Sequence, residues 1–148
     1  MMKLDPTSFA YAVLLLAGLV GIANWLAPHE SLTAEGCTLN YVYDGDTVAL
    51  DCAGGRKTAR LVGFDTPETI DASCAAEKAL GDRATMRLRD LAGKGAVTFD
   101  GQGYDKYGRV LAVMKIDGVD VKHALIDDGL AVRYAGGSRI DWCRKIAG

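Results

Sequence analysis

The chain has 148 residues, enough for one domain and a short appendage, and 49% of them are hydrophobic. It carries 17 basic and 19 acidic side chains, and the part from Cys37 onwards carries 16 of each, because Lys3, Asp5, Glu30 and Glu35 precede it. A neutral domain excludes bulk electrostatic binding of nucleic acid, so any polyanion must be bound in a focused cleft or through a cation.

The N-terminal 28 residues contain a long apolar segment. From Phe9 to Ala27 the only strongly polar side chain is Asn24, and about 20 apolar residues in a helix match the hydrocarbon thickness of a bilayer. We therefore expect residues 1–28 to be an uncleaved membrane anchor, with a cleaved signal peptide as the alternative. The flanking charges slightly favour a domain outside the cytoplasmic membrane, periplasmic or at the cell surface, or secreted if the segment is cleaved.

Residues 29–36 form a polar linker in this interpretation, and residues 37–148 form the folded domain. Two alternating apolar runs on either side of Asp44-Gly45 predict a β-hairpin, because this dipeptide favours the tight turn between antiparallel strands. A third strand runs from about Arg60 to Phe64. It stops at Thr66-Pro67, since proline cannot donate to a sheet ladder.

The remaining elements alternate between helical and strand patterns. Leucine and alanine recur at helical spacing between about Cys74 and Ala92, which predicts a helix there. We expect two further strands, at residues 96–99 and 109–116. We also expect a short helix between Asp120 and Gly129 and a weak helix at residues 141–147. The pattern predicts an α+β fold: a five-stranded OB-fold-type β-barrel with about three helices, preceded by the N-terminal transmembrane or signal-anchor helix.

Charged residues around the third strand are typical of phosphate-ester chemistry. Arg60 offers a planar fork of donors that fits a phosphate. Asp65 and Glu68 offer hard oxygens that suit a divalent cation or a general base. Many strands end in charged turns, so this stretch becomes informative only together with the motifs on either side.

Four short motifs follow one another between Cys37 and Tyr134. They are Asp44-Gly45-Asp46-Thr47, Arg60 with Asp65-Thr66-Pro67-Glu68, Asp105-Lys106-Tyr107-Gly108-Arg109, and Ala124-Leu125 with Gly129-Leu130-Ala131. Each motif alone is common, whereas four in register over about 90 residues are specific. With these motifs the domain resembles the staphylococcal nuclease family of calcium-dependent nucleases, also called thermonucleases.

The resemblance implies a cation site. Asp46, Asp65 and the backbone carbonyl of Thr66 would bind one Ca²⁺, and waters would complete the shell. This implied site agrees with the preference of Ca²⁺ for six or more oxygen ligands in a flexible arrangement.

The resemblance also implies a catalytic set and a reaction. Arg60 and Arg109 would bind the scissile phosphate, and Glu68 would orient or deprotonate the attacking water. Phosphoryl transfer depends mainly on positioning and charge stabilisation, which these groups supply. The expected reaction is endonucleolytic hydrolysis of DNA or RNA that leaves 3′-phosphate ends. A catalytically inactive OB-fold module that binds nucleic acid or another anionic ligand is the alternative.

Three further positions are implied as substrate contacts. Lys106 and Tyr107 would contact the terminal phosphate of the bound nucleotide, and Tyr134 would stack on or border the base. The family pattern carries more aromatic residues after this point, whereas here Ala135-Gly136-Gly137-Ser138 follows. Ordinary loop residues are the competing interpretation of Lys106 and Tyr107. No protein partner is predicted beyond the nucleic-acid substrate and the membrane.

The four cysteines, Cys37, Cys52, Cys74 and Cys143, depart from the staphylococcal pattern, which needs none. An even number in a domain outside the membrane predicts two disulfides, with three possible connectivities. Cys37 and Cys52 are equidistant from the hairpin turn, which favours their pairing and leaves Cys74 for Cys143. A two-residue turn would give the first pair a wide Cα spacing, so a β-bulge would be needed. A zinc site is disfavoured, because no C-x-x-C pair is present.

Overall fold

The computed structural model describes residues 36–148 together with Val13, Leu15, Leu16, Gly18 and Ala34. The chain divides into two compact units, Met1–Ser31 and Leu32–Gly148. The anchor predicted at residues 1–28 and the linker at residues 29–36 lie almost entirely outside the described residues. Within the part that is described, no helix combines the length and the apolar character that crossing a bilayer requires.

The domain consists of strands and helices in a mixed order. The strands are β1 (Thr38–Val42), β2 (Thr47–Cys52), β3 (Gly55–Leu61), β4 (Gly63–Asp65), β5 (Val97–Tyr104), β6 (Val110–Ile116), β7 (Val119–Asp120) and β8 (Val132–Tyr134). The helices are α1 (Ala75–Ala92), α2 (Val121–Asp127) and α3 (Trp142–Ala147). The predicted α+β class and three helices are therefore confirmed for residues 36–148.

The main sheet has the spatial order β1-β2-β3-β6-β5, and β7 adds to β6. All its neighbouring strands are antiparallel except β3 and β6, which are parallel. The five predicted strands correspond to these five main strands, but β1 and β5 stand at the two ends of the sheet and do not pair with each other. The predicted five-stranded barrel is therefore not closed by hydrogen bonds between β1 and β5 in residues 36–148, although these two strands lie close to each other.

A second, two-stranded sheet pairs β4 with β8. Both strands have three residues, so neither has an alternating pattern long enough to be recognised in the sequence. Their pairing places Gly63 opposite Tyr134 and Asp65 opposite Val132. The sheet therefore joins two parts of the chain that both contribute to the site described below.

The first hairpin differs from its predicted form. The amide of Tyr43 donates to the carbonyl of Thr47 at 2.9 Å, so the turn contains the three residues 44–46 rather than two. A bulge in β1 then shifts the register by one residue and places Cys37 opposite Cys52. Their Cα atoms are 4.3 Å apart and the two residues form a disulfide, as predicted.

The second predicted disulfide, Cys74–Cys143, is also present. Cys74 is the N-cap of α1, and its sulfur accepts a hydrogen bond from the amide of Glu77 at 3.4 Å. Because Cys143 lies in α3, the bond fixes this short C-terminal helix against the start of α1. All four cysteines are thereby paired, which excludes the zinc alternative.

The hydrophobic core lies between the main sheet and the helices. It includes Val48, Leu50, Leu61, Leu88 and Leu125, each at most 1% exposed. The side chain of Leu88 belongs to α1 and that of Leu125 to α2, so both helices cover the same apolar face of the sheet. This packing fixes β3, β4 and the following loop, which carry most of the charged residues discussed next.

Candidate active site

An open cleft with a volume of about 1240 Å³ lies on the surface of the domain. Six of the predicted site residues line it: Arg60, Glu68, Lys106, Tyr107, Arg109 and Tyr134. They come from β3, from the loop after β4, from the connection between β5 and β6, and from β8. The fold thus brings together the predicted phosphate-binding, catalytic and substrate-contact positions.

The predicted cation ligands lie buried beside this cleft. Asp46, Asp65 and Thr66 are 1%, 0% and 2% exposed. Arg60 connects the first two, because its guanidinium donates to Oδ1 of Asp46 and, at 3.1 Å, to Oδ1 of Asp65. Arg60 is itself mostly buried, with 16% of its side chain exposed.

Asp46 has further hydrogen bonds inside the domain. Its Oδ2 accepts from the amide of Thr66 at 3.2 Å and from the hydroxyl of Thr66 at 3.0 Å. Burial raises the pKa of Asp46 to about 7, although the positive charge of Arg60 opposes this shift. Positive charge close to Asp46 therefore favours its ionised form.

Arg139 is a site residue that the sequence analysis missed. Its Nε donates to Oδ1 of Asp65 at 2.6 Å, its Nη2 donates to the carbonyl of Thr66 at 3.0 Å, and its Nη1 donates to Oε1 of Glu68. Burial alone would lower the pKa of Arg139, but the hydrogen bond to Glu68 and the charge of Asp65 raise it above its usual range. The side chain is therefore a permanent cation in contact with three predicted site residues.

The segment before Arg139 explains why sequence patterns do not reveal it. Gly136 and Gly137 have φ angles of +102° and +93°, which L side chains rarely adopt, and they turn the chain back after β8. The hydroxyl of Tyr134 donates to the carbonyl of Gly137 at 2.6 Å and closes this turn. A single arginine after two glycines carries no periodic signal, and only the departure from the family pattern marked this segment.

Helix α3 contributes a third hydrogen bond to the carboxylate of Asp65. The side chain of Trp142 is buried, and its Nε1 donates to Oδ2 of Asp65 at 3.1 Å. Asp65 thus accepts hydrogen bonds from Arg60, Arg139 and Trp142. These donors compensate for the cost of burying a carboxylate.

The loop that carries Glu68 is held by helix α1. The buried carboxylate of Glu77 accepts from the amide of Glu68 at 3.3 Å and from the amide of Ser73 at 2.7 Å. A Cβ atom added at Gly81 would lie 2.6 Å from the carbonyl oxygen of Glu68, so this position admits only glycine at the present spacing. Two residues of α1 therefore set the position of the Glu68 backbone.

Arg109 is oriented by the turn that precedes it. Its Nε donates to Oδ2 of Asp105 at 2.7 Å, and its amide donates to Oδ1 at 2.9 Å. Burial would raise the pKa of Asp105, but hydrogen bonds from the side chain and the backbone of Arg109 lower it below its usual range. The guanidinium lies 5.6 Å from the ring centre of Tyr107, and the ammonium of Lys106 lies 5.0 Å from the same ring.

The donor set around Arg139 is compatible with a divalent cation. It consists of the carboxylates of Asp46, Asp65 and Glu68 and the carbonyl of Thr66, which are the hard oxygen ligands that Ca²⁺ prefers. Three of these four residues already accept hydrogen bonds from the guanidinium of Arg139. The chemistry of the site therefore fits Ca²⁺, while its present cation is an arginine side chain.

Comparisons with known proteins identify relatives of the chain. The family described as "Staphylococcal nuclease homologue" matches residues 58–141. Endonuclease YncB of Bacillus subtilis is 38% identical over 97 residues, which make up 64% of this chain and 46% of that protein. The SPbeta prophage-derived endonuclease YokF of the same species is also 38% identical over 97 residues, 64% of this chain and 32% of that protein.

A thermonuclease of Staphylococcus hyicus is 32% identical to the chain over 91 residues, which make up 61% of this chain and 54% of that protein. The chain thus spans about half the length, or less, of these curated relatives. The match covers Arg60, Asp65, Glu68, Arg109 and Arg139, whereas Asp46 lies before the segment that the family description matches.

Proposed function

Because the matched segment covers more than half of its residues, the chain belongs to the staphylococcal nuclease homologue family, and we propose that it is a calcium-dependent nuclease. Its substrate is DNA or RNA, and the reaction is endonucleolytic hydrolysis that leaves 3′-phosphate ends. One observation carries the proposal: Arg60, Glu68 and Arg109, from three separate segments, line one cleft beside two buried aspartates.

The roles in the proposed reaction follow from the chemistry of each group. Arg60 and Arg109 bind the scissile phosphate, since planar guanidinium groups match its oxygens and offset charge that develops in the transition state. Glu68 orients the attacking water or accepts its proton. Each group is supported by a neighbour: Arg60 by the buried aspartates, Arg109 by Asp105, and the Glu68 backbone by α1.

The proposed cation ligands are Asp46, Asp65 and the carbonyl of Thr66. A bound Ca²⁺ would supply positive charge next to the phosphate and polarise its oxygens. Burial favours this role, because charge interactions are stronger where water is largely excluded.

Substrate contacts outside the reacting phosphate are proposed for Lys106, Tyr107 and Tyr134. Tyr107 is 72% exposed and lines the cleft, so its side chain is accessible to a nucleotide. Its neighbour Lys106 offers a positive charge to a second phosphate. The hydroxyl of Tyr134 is engaged with Gly137, which leaves the face of its ring as the surface for a base.

We propose that the domain acts outside the cytoplasm, anchored by residues 1–28. The two disulfides support this location, since such bonds persist mainly in oxidising compartments. The apolar stretch between Phe9 and Ala27 supports the anchor.

A catalytically inactive nucleic-acid-binding module is the second candidate. The ion pair between Arg139 and Glu68 favours it, because the carboxylate of the proposed base is occupied by another side chain. The nuclease would cleave a bound nucleic acid, whereas the inactive module would bind it without cleavage.

The test uses the full-length chain with denatured DNA. We expect cleavage with Ca²⁺ and none with a chelator, and products that DNA polymerase extends only after phosphatase treatment, as 3′-phosphate ends require. No cleavage at any Ca²⁺ concentration, with the fold intact by circular dichroism, would favour the inactive module. Cleavage that persists in the chelator would overturn the calcium requirement alone.

A further inference from the structure

Arg139 contacts the atoms that a divalent cation would need. It donates to a carboxylate oxygen of Asp65, to the carbonyl of Thr66 and to a carboxylate oxygen of Glu68. The first two are proposed cation ligands, and the third belongs to the proposed base. One guanidinium therefore contacts both parts of the site.

An ion and the guanidinium compete for these oxygens, because both carry positive charge and approach the same atoms. Ca²⁺ binds its oxygen ligands at about 2.3–2.6 Å. The nitrogens of Arg139 lie 2.6 Å from Asp65 and 3.0 Å from Thr66, so an ion in contact with both oxygens would overlap or strongly repel the guanidinium. Ion binding therefore requires the side chain of Arg139 to move.

The surrounding chain allows this movement but limits its extent. Gly136 and Gly137 precede Arg139, and because glycine restricts backbone rotation least, a change of backbone angle on this side costs little. On the other side, α3 is fixed by the buried Trp142 and by the disulfide between Cys74 and Cys143. The side chain, which is 37% exposed, has a path towards the solvent and remains close to the site after it leaves.

We propose that Arg139 is a tethered competitor of the divalent cation, and that Ca²⁺ binds by displacing its guanidinium and freeing the carboxylate of Glu68. This inference rests on the proposed calcium dependence. In the closed form Arg139 contacts the cation ligands and the site does not bind the ion, whereas in the displaced form Arg139 has left and the site binds it. The concentration of Ca²⁺ therefore sets the fraction of molecules in the displaced form. The apparent dissociation constant exceeds the intrinsic one by the reciprocal of the competent fraction.

The test measures Ca²⁺ binding itself, by isothermal titration calorimetry on the full-length chain without substrate. Arg139→Met keeps an unbranched side chain and removes the charge, and we expect its dissociation constant to fall about tenfold or more, as for a closed form populated at about 90% or above. Arg144→Met is the matched control, since Arg144 lies exposed on α3 and its removal changes the net charge equally. An equal tightening in both variants would reduce the effect to net charge and overturn the inference.

Arg139→Lys is a second variant that tests the inference if Arg139→Met does not fold. Lysine keeps the charge but loses the planar fork, so its dissociation constant is expected between those of the wild type and Arg139→Met. Circular dichroism verifies the fold of each protein. If no folded Arg139 variant binds Ca²⁺ more tightly than the wild type, the inference is overturned.

Kinetics separate a competitor from a merely structural arginine. A competitor shifts the Ca²⁺ concentration for half-maximal cleavage downwards in Arg139→Met but not in the control variant Arg144→Met. A structural residue lowers kcat at every Ca²⁺ concentration, which would contradict the inference.

The failures of the two proposals are distinguishable. If the wild type cleaves DNA and binds Ca²⁺ as tightly as Arg139→Met does, the proposed role of Arg139 is overturned and the nuclease proposal stands. Absence of Ca²⁺ binding in every variant would overturn both the calcium site and the competition, and cleavage in a chelator would then decide whether the hydrolysis survives.

Discussion

Two glutamates nine positions apart, Glu68 and Glu77, lie in environments that suit different roles. Glu68 is half-buried at the cleft and pairs with Arg139, whereas the buried carboxylate of Glu77 accepts backbone amides from the loop. Only Glu68 is in a position to reach a water in the cleft. Glu77 instead fixes the position of the backbone that carries Glu68, the proposed base.

Glu68→Gln is expected to lower kcat by about 100-fold or more, the range of a lost general base, with little change in stability. Glutamine keeps the size and one acceptor oxygen, so Arg139 retains a hydrogen-bond partner. Steady-state cleavage rates and thermal unfolding measure the two effects.

The control for this variant is Asp82→Asn, an acidic residue exposed on α1 outside the cleft lining, which should leave kcat unchanged. A Glu68→Gln enzyme that turns over at the wild-type rate would contradict the assignment of Glu68. A large loss of stability would instead assign it a structural role.

At the scale of elements, the close approach of α1 to the loop after β4 depends on one glycine. An added Cβ at Gly81 would lie 2.6 Å from the carbonyl oxygen of Glu68 and 2.7 Å from that of Pro67. These neighbours are backbone atoms, so the loop or the helix has to shift. Gly81 therefore couples helix packing to the position of the proposed base.

Gly81→Ala is expected to destabilise the domain by about 1–3 kcal/mol, as overpacking does, although alanine favours a helix more than glycine. It should also lower kcat, because the shift displaces Glu68. Urea unfolding and cleavage assays measure both quantities. Gly93→Ala is the control: an added Cβ at Gly93 meets no atom closer than 3.6 Å, so this variant should retain stability and rate.

The two disulfides close loops of different length. Cys37–Cys52 has a sequence separation of 15 and Cys74–Cys143 one of 69. Chain entropy predicts that removing the first costs about 3 kcal/mol and removing the second about 4 kcal/mol. Double serine variants and urea unfolding test this order, and serine at position 74 preserves a helix N-cap. A larger loss for the shorter loop would show that packing, rather than chain entropy, dominates.

The elements that the sequence predicts are those with local signals. Helix α1 has a regular apolar stripe, α2 has Asp120 as its N-cap, and both begin within one residue of the predicted position. The pairing of Cys37 with Cys52 follows from their symmetry about a turn, even though that turn is one residue longer than expected and a bulge compensates.

The missed features depend on contacts between distant segments. Strands β4 and β8 are too short for an alternating pattern, and their pairing places Asp65 opposite Val132 and Gly63 opposite Tyr134. Arg139 reaches Asp65 across 74 sequence positions, through a glycine turn and a helix fixed by a disulfide. Neither the spacing nor the composition of this segment indicates such a contact. The family motifs predicted the other site positions because their spacing is local.

At the scale of the whole molecule, the balance of charge limits how the domain contacts a nucleic acid. From Cys37 onwards the chain has as many acidic as basic side chains. Several basic groups that line the cleft also have acidic partners, among them Arg60, Arg109, Lys122 and Arg139. Positive charge is thus confined to a few positions and partly neutralised, so few phosphates are contacted strongly.

The salt dependence of binding measures how many phosphates the domain contacts. If Arg60 and Arg109 share the scissile phosphate and Lys106 contacts a second one, the logarithm of the association constant for a single-stranded oligonucleotide falls with the logarithm of salt concentration with a slope of about −1.4. Fluorescence anisotropy at saturating Ca²⁺ with the Glu68→Gln variant, in which cleavage is slow, measures the slope. Lys106→Met should make it shallower by about 0.7, the contribution of one phosphate on a single strand. A slope of about −5 or steeper would mean seven or more phosphate contacts and would contradict recognition through a focused cleft.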